Sequence, residues 1–496
     1  MNAAIDWRTE ASRISFRDKA FIGGRFVVSA AGGTFDNISP IDGRVLAKVA
    51  AGDSEDIDRA VKAARSAFES GIWADQAPKA RKRVLVKLAE LIQNHANELA
   101  LLETLDMGKP ILNARNGDVR AVAECVRWYG EAIDKIYDEI APTPKTALAL
   151  ITREPLGVVG AVVPWNFPLL MAAWKFAPAL AAGNSVVLKP AEQSPLSALR
   201  VAELALEAGV PPGVFNVVPG FGESAGQALG RHMDVDALAF TGSTEVGKLF
   251  LKYSAESNMK IVSLECGGKT PNIVFADTPD LDAAAQGAAD GIFYNSGQVC
   301  DAASRLIVED KIHDVFLAKV AALAKNYAPG DPLDEKTRMG SMVDETQTKR
   351  VLGFIEKGKA EGAALTLGGR QVRQETGGFY IEPTIFDRVE NRMTIAREEI
   401  FGPVLSTIVF KTPEEAVKLA NDSKYGLEAN LWTNDLTKAH RIARSLRAGT
   451  VTINSRDGGG IEVPFGGYKQ SGFGRDKSLH AIDKYTQLKT TYISIG

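Results

Sequence analysis

Cysteine is scarce in this chain of 496 residues, which contains only Cys125, Cys266 and Cys300. No two of them form a CxxC pair, and an odd, sparse set argues against a disulfide scaffold. The five histidines are scattered, and none has metal-ligand spacing to another histidine or to a cysteine. These absences predict a protein without a metal site that works in the reducing cytoplasm.

Long hydrophobic runs and basic blocks are absent as well. No uninterrupted apolar run approaches the roughly 20 residues that a membrane-spanning helix needs. The N-terminal segment Met1–Arg8 lacks the apolar stretch that is typical of a signal peptide. Charged residues make up 24% of the chain and the net charge is −3. We therefore expect neither a membrane nor a nucleic acid as a partner.

What the chain does contain is a change of hydrophobic pattern near Gly157. Before it, the spacing predicts amphipathic helices, and the helix predicted over Ala121–Ile136 is expected to bury Cys125 as a small apolar side chain. After it, short apolar strands alternate with helices, which is typical of a parallel sheet covered on both faces. Such a sheet binds ligands beyond the carboxyl ends of its strands.

The predicted strands fall into two groups, and the length of the chain suggests roughly three domains. The strands of the first group are Val158–Val163, Ser185–Leu188, Val214–Val218, Ala237–Phe240 and Ile261–Leu264. The strands of the second, mixed α/β group are Ile273–Phe275, Arg305–Val308, Thr384–Phe386, Leu405–Phe410 and Thr450–Ile453.

Two extended segments, Pro142–Arg153 and Leu488–Ile495, stand apart from both groups. Isolated strands of this kind are not stable by themselves. We expect them to form an arm that another subunit completes, which predicts a homotetramer built as a dimer of dimers. The alternative is that they form the edges of the main sheets.

Three short segments supply a complete set of groups for chemistry at a carbonyl carbon. The thiol of Cys300 can attack the carbonyl, the side-chain amide of Asn166 can hold the resulting oxyanion, and the carboxylate of Glu265 can activate water. The segments read Pro-Trp-Asn-Phe-Pro, Leu-Glu-Cys-Gly-Gly-Lys and Gln-Val-Cys. The residues of these segments, and their order along the chain, resemble those of the NAD(P)-dependent aldehyde dehydrogenase superfamily. The resemblance extends from about Phe21 to the C-terminus.

The resemblance implies an α/β aldehyde dehydrogenase fold in three parts. These parts are a Rossmann-like NAD(P)-binding domain with a parallel sheet (residues 1–137 and 154–264), an α/β catalytic domain (265–470) and a small β oligomerisation arm (138–153 and 471–496). It also implies oxidation of an aldehyde to its acid with NAD, NADP being possible, through a thiohemiacetal and a thioester on Cys300.

Two other readings of the chain are weaker. Relatives that transfer the acyl group to coenzyme A lack the water-activating glutamate, so Glu265 argues against a coenzyme A-acylating enzyme. A binding protein of the same fold without turnover would not need the intact set of Cys300, Glu265 and Asn166.

The chain lacks the G-x-G-x-x-G signature of many dinucleotide sites. Instead, the segment Phe240–Gly247 follows a strand and opens a helix, where free N–H groups and the helix dipole favour phosphate. The resemblance assigns Gly242 and Ser243 to the pyrophosphate; the alternative is an ordinary serine N-cap. The glycine-rich loop around Gly222 can also approach the cofactor, or it simply starts a helix.

The resemblance implies further cofactor contacts. It places the adenosine ribose at Lys189 and Glu192, which taken singly read as a surface pair. A carboxylate such as Glu192 repels a 2′-phosphate, which favours NAD over NADP. The resemblance also places the nicotinamide ribose at Glu399. The alternative is that Glu399 lies at the solvated, acidic end of a helix. Phe401 is expected to position the nicotinamide ring, and Trp165 is a further expected cofactor contact.

Lys175 matches a lysine that the superfamily places near the oxyanion and the cofactor. We therefore expect it to support catalysis and to take part in a proton relay. In relatives the relay partner is often glutamate where this chain has Asp476, and the shorter side chain argues against the relay. Cys266, beside Glu265, is expected to pack in the core, with an oxidation-sensitive thiol as the alternative.

Within the superfamily the sequence is most similar to bacterial dehydrogenases for γ-aminobutyraldehyde-type substrates of polyamine breakdown. We expect Asp301 and Asp457 to attract a distal cation on the substrate. The expected walls of the pocket are aromatic and come from Phe167, Trp174 and Phe465.

Two neighbouring features favour other substrates. Arg456 can hold the carboxylate of a semialdehyde, and Gly458–Gly460 can leave the entrance wide enough for a broad-specificity enzyme.

Overall fold

The computed structural model describes residues 5–496, so Met1–Ala4, half of the segment in which we predict no signal peptide, lies outside it. An eight-stranded sheet with five parallel central strands dominates the first half of the chain. In spatial order its strands are Arg25–Val27, Ala20–Ile22, Phe215–Val217, Ser185–Lys189, Val158–Val162, Ala237–Thr241, Ile261–Glu265 and Gly472–Phe473. The five predicted strands of the first group are confirmed, whereas the short antiparallel edge strands were not predicted.

Helices cover both faces of this sheet because its central strands are buried along their whole length. Pro168–Ala182 and Leu196–Ala208 pack on one face, and Ser54–Glu69 and Thr244–Ala255 pack on the other. The remaining α-helices are Trp7–Arg13, Pro78–Asn94, Ala96–Met107, Ile111–Asn113, Arg120–Ala132, Gln227–Arg231, Leu281–Phe293, His313–Ala324, Glu345–Ala360, Thr394–Arg397, Pro413–Asn421 and Leu436–Ser445. Cys125 is buried in its helix, as predicted.

The second half of the chain forms a seven-stranded sheet that is parallel except at one edge. In spatial order its strands are Ala364–Leu367, Thr384–Asp387, Val404–Phe410, Arg305–Glu309, Pro271–Val274, Glu428–Trp432 and Thr450–Ile453. The five predicted strands of the second group are confirmed. Ala364–Leu367 and Glu428–Trp432 were not predicted.

The two extended segments pair with each other in a separate three-stranded sheet. Thr486–Ser494 runs antiparallel to Ala147–Pro155 along the full length of both strands, and Glu139–Ala141 pairs with the other side of Ala147–Pro155. The alternative that these segments form the edges of the main sheets is therefore wrong. Two small antiparallel ribbons complete the strands: Thr34–Ile38 with Val45–Ala50, and Gln371–Val372 with Tyr380–Ile381.

The division of the chain into domains remains a prediction. One short stretch lies in a different part of the structure from the domain to which we assigned it. Gly472–Phe473, within the segment assigned to the arm, pairs with Ile261–Glu265 at the edge of the first sheet. Gly472 has a φ of +114° and lies against the Leu264 carbonyl, an approach that a side chain would block.

The carboxyl ends of strands in the first sheet lie against segments that lead into strands of the second sheet. Residues that follow strands of the first sheet, such as Asn166 after Val158–Val162, lie opposite residues that precede strands of the second, such as Cys300 before Arg305–Glu309. Ligands bind at the carboxyl ends of parallel strands, so this joint is the expected site. Within residues 5–496, no helix is both long and apolar enough to cross a membrane.

Candidate active site

Cys300 follows a tight turn that holds the backbone in a rarely occupied conformation. Asn295 and Ser296 in the turn Tyr294–Gly297 have φ values of +50° and +56°. Left-handed backbone at residues other than glycine is strained and persists where the surroundings hold it in place. Here Gln298, fully buried, donates to the Asn295 carbonyl at 3.1 Å and to the Ser341 carbonyl at 3.3 Å.

Asn166 is tied to this turn across 132 residues of sequence. Its Nδ2 donates to the Gln298 carbonyl at 2.9 Å, and the Asn295 Nδ2 donates to the Asn166 carbonyl at 3.0 Å. The amide group has two N–H bonds, so one stays free for an oxyanion. The structure therefore brings Asn166 to the nucleophile segment, as predicted. Asn295 was missed because nothing in the sequence distinguishes it from a loop asparagine.

The surroundings of the Cys300 thiol disfavour its thiolate. The side chain is partly buried, and burial raises its pKa well above the ordinary value. The nearby carboxyl groups raise this pKa further, and they belong to Asp301, Glu265, Glu399 and Glu428. Attack on a carbonyl therefore needs a group that takes up the thiol proton.

Glu265 ends the strand Ile261–Glu265 and is 5% exposed. Neither of its carboxylate oxygens has a hydrogen-bond partner within the described chain. Burial raises its pKa well above the ordinary value, and Asp476 adds to the effect, whereas Lys175 and Lys484 act against it. A buried, unpartnered carboxyl group with a raised pKa near a thiol is suited to take up and release protons.

Asp476 lies fully buried between two lysines. Lys175 Nζ donates to one of its oxygens and Lys484 Nζ to the other. Burial opposes ionisation of Asp476, but the two ammonium groups outweigh it and hold the pKa of the carboxyl below its usual value. The shorter side chain therefore reaches Lys175, contrary to the argument from its length. Lys484 was missed because an isolated lysine reads as a surface residue.

The predicted phosphate segment has the predicted geometry. The strand Ala237–Thr241 ends one residue before Gly242, and the helix Thr244–Ala255 begins after Ser243. The Ser243 hydroxyl accepts the Val246 N–H at 3.2 Å, so the serine is an N-cap as well as a candidate contact. The Thr241 hydroxyl is buried without a partner among residues 5–496. This turn fits a phosphate group at the start of a helix.

Lys189 ends the central strand Ser185–Lys189, and Glu192 follows this strand. Lys189 is buried, and its Nζ contacts the Glu192 carboxylate at 3.1 Å. Because Lys189 is buried, the two residues are not an ordinary pair of exposed side chains at the surface. Gly222 lies exposed at the start of the π-helical turn Gly222–Gly226, which opens the helix Gln227–Arg231.

Glu399 and Phe401 lie at the same joint between the sheets. The Glu399 carboxylate accepts the Gly268 N–H at 3.0 Å, and burial raises its pKa to about 7 despite this hydrogen bond. Phe401, at a φ of +59°, meets Trp165 edge to face with ring centres 5.2 Å apart. Glu399 is thus not the solvated end of a helix.

Close packing explains why glycine follows Glu265 at two positions, which the sequence did not predict. A side chain at Gly267 would clash with the Glu399 carboxylate, and one at Gly268 would clash with the Cys300 carbonyl. The structure shows close packing at both positions.

Cys266, the neighbour of Glu265, is buried, and a side chain at Gly247 would contact its sulfur. Burial raises the pKa of its thiol to about 12. Core packing, the favoured reading of this cysteine, agrees with its position.

The aromatic residues predicted for the substrate pocket form two pairs. Trp174 and Phe465 have ring centres 5.4 Å apart, and Phe167 stacks on Tyr294 at 6.3 Å. Lys477 Nζ lies 5.8 Å and 6.0 Å from the centres of the first pair. The cation that lies over these rings is therefore a side chain of the protein, Lys477.

The two acidic residues predicted for the pocket differ in their surroundings. Asp301 forms a salt bridge with Arg456 at 3.1 Å. Asp457 is exposed, and its carboxylate accepts the Gly459 N–H at 2.9 Å. Asp301 is therefore already paired with a cation, which the prediction of a free substrate-binding carboxylate did not include.

Comparison with known proteins agrees with this site. The profile of the aldehyde dehydrogenase family matches residues 26–491. The chain therefore belongs to the aldehyde dehydrogenase family, and it is an NAD(P)-dependent aldehyde dehydrogenase.

Three relatives show how close the similarity is. The NADP/NAD-dependent aldehyde dehydrogenase PuuC of Escherichia coli (strain K12) is 54% identical, covering 99% of this chain and 98% of that protein. The structure of gamma-glutamyl-gamma-aminobutyraldehyde dehydrogenase from Burkholderia cenocepacia J2315 is 58% identical, with a TM-score of 0.98 and 99% of both chains covered. Indole-3-acetaldehyde dehydrogenase in complex with NAD+ is 57% identical, with the same TM-score and coverage. The predicted family, fold and cofactor class are confirmed.

Proposed function

We propose that this dehydrogenase converts short aldehydes with a distal cation, such as the aminoaldehydes of polyamine breakdown, into carboxylic acids that leave by hydrolysis. The chemistry of the proposal rests on one observation, the buried and unpartnered carboxyl group of Glu265 near Cys300. Coenzyme A-acylating relatives lack this glutamate, so water is the proposed acceptor of the acyl group.

In the first half of the reaction, the Cys300 sulfur bonds to the aldehyde carbon. The thiol proton leaves to a nearby carboxylate, for which Glu265 is the candidate. The charge that develops on the aldehyde oxygen is held by the free N–H of Asn166 Nδ2 and by the backbone N–H of Cys300. One such donor typically lowers the barrier by about 3–4 kcal/mol.

Loss of a hydride from the adduct leaves an acyl thioester on Cys300. In the second half, Glu265, after passing on the thiol proton, takes a proton from the water that attacks this thioester. Cys300 leaves as the acid is released. We propose that Lys175, Asp476 and Lys484 carry the proton away, since their side chains form a continuous hydrogen-bonded chain beside Glu265.

The proposed cofactor residues are Trp165, Lys189, Glu192, Gly222, Gly242, Ser243, Glu399 and Phe401. They fit a dinucleotide because the phosphate turn and the Lys189–Glu192 pair follow strands of the first sheet, and Glu399 contacts Gly268 after another strand of that sheet. Bound NAD(P) supplies the hydride acceptor of the reaction. Glu192 beside the ribose favours NAD over a cofactor with a 2′-phosphate.

The proposed preference for a distal cation rests on the charge around the pocket entrance. Four carboxyl groups act on Lys477, and they belong to Glu462, Asp301, Asp457 and Glu428. Only Lys477 and Arg456 oppose them in this group, so negative charge is in excess even when Glu428, whose pKa burial raises to about 8, carries a proton. Sequence identity alone does not decide the substrate, because relatives named for different aldehydes are equally similar.

The test is the ratio of kcat/KM for 4-aminobutyraldehyde to that for butyraldehyde, with NAD and with NADP, at low salt. Asp457→Asn should lower this ratio about fivefold, the factor that about 1 kcal/mol of attraction in water corresponds to. High salt should have the same effect on the wild type.

The neutral substrate is the control, because its kcat/KM should stay within a factor of two in Asp457→Asn. Equal losses on both substrates would contradict the charge account. Equal wild-type kcat/KM values for 4-aminobutyraldehyde, butyraldehyde and indole-3-acetaldehyde would instead establish a broad-specificity enzyme, which the glycines Gly458–Gly460 favour.

We also propose a cytoplasmic homotetramer, a dimer of dimers. The three-stranded arm supports this assembly because it exposes apolar side chains, and these are Ile140, Leu488, Tyr492, Ile493 and Ile495. Exposed apolar strands need a partner surface.

A further inference from the structure

Arg456 links the pocket entrance to the residue that follows the nucleophile. Its Nη2 donates to Asp301 Oδ1 at 3.1 Å, and its Nη1 donates to Glu428 Oε1 at 3.1 Å. Asp301 comes directly after Cys300, whereas Glu428 begins the strand Glu428–Trp432 of the second sheet. One guanidinium group thus joins three distant segments of the catalytic region.

The guanidinium group is held in a fixed position. The Glu428 side chain is 2% exposed, and its Oε1 also accepts the Asn430 amide at 2.6 Å. The Arg456 stem packs against Gly291 of the helix Leu281–Phe293, where a side chain would come within 3.1 Å of Nε. A planar guanidinium group can bridge two carboxyl groups in this way, which a lysine ammonium group does less well.

Both partners of Arg456 act on the thiol. Asp301 and Glu428 belong, with Glu265 and Glu399, to the carboxyl groups that raise the pKa of Cys300. Arg456 is close enough to the thiol for the two to interact. Without it, the carboxylate of Asp301 would lack its counter-ion beside the sulfur, and so would that of Glu428 above its pKa of about 8.

We propose that Arg456 is a positioning residue that keeps Cys300 reactive, by holding the backbone after the nucleophile and by neutralising the Asp301–Glu428 carboxyl pair. This role rests on the proposed nucleophile function of Cys300. It is separate from substrate charge, because it acts equally on neutral aldehydes.

The test is the rate at which iodoacetamide alkylates Cys300 as a function of pH, read by mass spectrometry of the Cys300 peptide. Arg456→Met should raise the midpoint of this pH profile by about one unit and slow alkylation at pH 7 about tenfold. It should also lower kcat/KM for butyraldehyde about tenfold. Arg456→Lys keeps the charge, so its midpoint should stay near that of the wild type. Arg441→Met is the matched control, since this arginine is exposed on the helix Leu436–Ser445.

A double variant separates charge from shape. Adding Asp301→Asn to Arg456→Met removes one unbalanced carboxylate, so the midpoint should return most of the way to the wild-type value. The proposal is overturned if Arg456→Met leaves the midpoint unchanged, or if the double variant fails to restore it. If Arg456→Met does not fold, Asp301→Asn alone decides, because the proposal requires its midpoint to fall below that of the wild type.

The alkylation readout needs no turnover. A Cys300→Ala variant that keeps full activity would refute the proposed function, whereas an unshifted midpoint in Arg456→Met would refute only the role of Arg456.

Discussion

At the scale of single residues, the buried chain Lys175–Asp476–Lys484 has two ammonium groups for one carboxylate. Unpaired charge in a buried site is costly, so the excess positive charge favours a nearby anion. Glu265 is that anion when it is ionised, since both lysines act to lower its pKa. Lys484 therefore helps to keep the proposed base in its working form.

Lys484→Met should raise the pKa of Glu265 further. A base with a higher pKa is deprotonated only at higher pH, so the pH profile of kcat should move towards alkaline pH by about one unit. Lys484→Arg should keep most of the wild-type profile. Lys489→Met, at an exposed lysine of the same C-terminal segment, is the control. A profile that stays in place or moves towards acid would contradict the assignment.

Some residues of the site could be predicted because their segments are distinctive. Cys300, Glu265 and Asn166 follow from their segments and the chemistry of their side chains. Glu428 and Lys484 could not be predicted, because a charged residue is normally exposed, and only the tertiary structure buries these two beside partners.

At the scale of elements, the arm is the part whose stability depends most on a single pairing. Its two long strands, Ala147–Pro155 and Thr486–Ser494, pair along their full length. A small sheet that exposes apolar side chains is marginal by itself. Its strands therefore need both each other and the proposed partner subunit.

Deleting Lys489–Gly496 removes most of one arm strand and should lower the assembly state, measured by light scattering after size exclusion. Deleting only Gly496 is the matched control, because this residue follows the strand and has no side chain. A full-length protein that elutes as a monomer of 53.2 kDa would contradict the proposed assembly. So would a long deletion that assembles like the full-length chain.

The parallel strands could be predicted to within about two residues, because strands buried on both faces are continuous apolar runs. Glu428–Trp432 could not, since it begins with a buried glutamate and contains a buried asparagine. The strand Ala20–Ile22, second from the edge of the first sheet, has three residues, too few to show a periodicity.

At the scale of the whole molecule, the site exists only where the two sheets meet. The first sheet contributes Asn166 and Glu265 at its strand ends, and the second contributes Cys300 and Glu399 before its strands. This arrangement explains why groups hundreds of residues apart form one site. It also separates the phosphate turn in the first half of the chain from the nucleophile in the second.

The central claim is that an aldehyde is oxidised to a thioester on Cys300. Water that Glu265 activates then releases the product as a carboxylic acid. The most direct measurement is rapid mixing of Glu265→Gln with NAD and butyraldehyde, followed by mass spectrometry of the quenched protein. We predict a burst of about one NADH per subunit, then a stall with an acyl group on Cys300, and no burst in Cys300→Ala. Slow steady turnover without a burst, or a burst without acylated Cys300, would contradict the account.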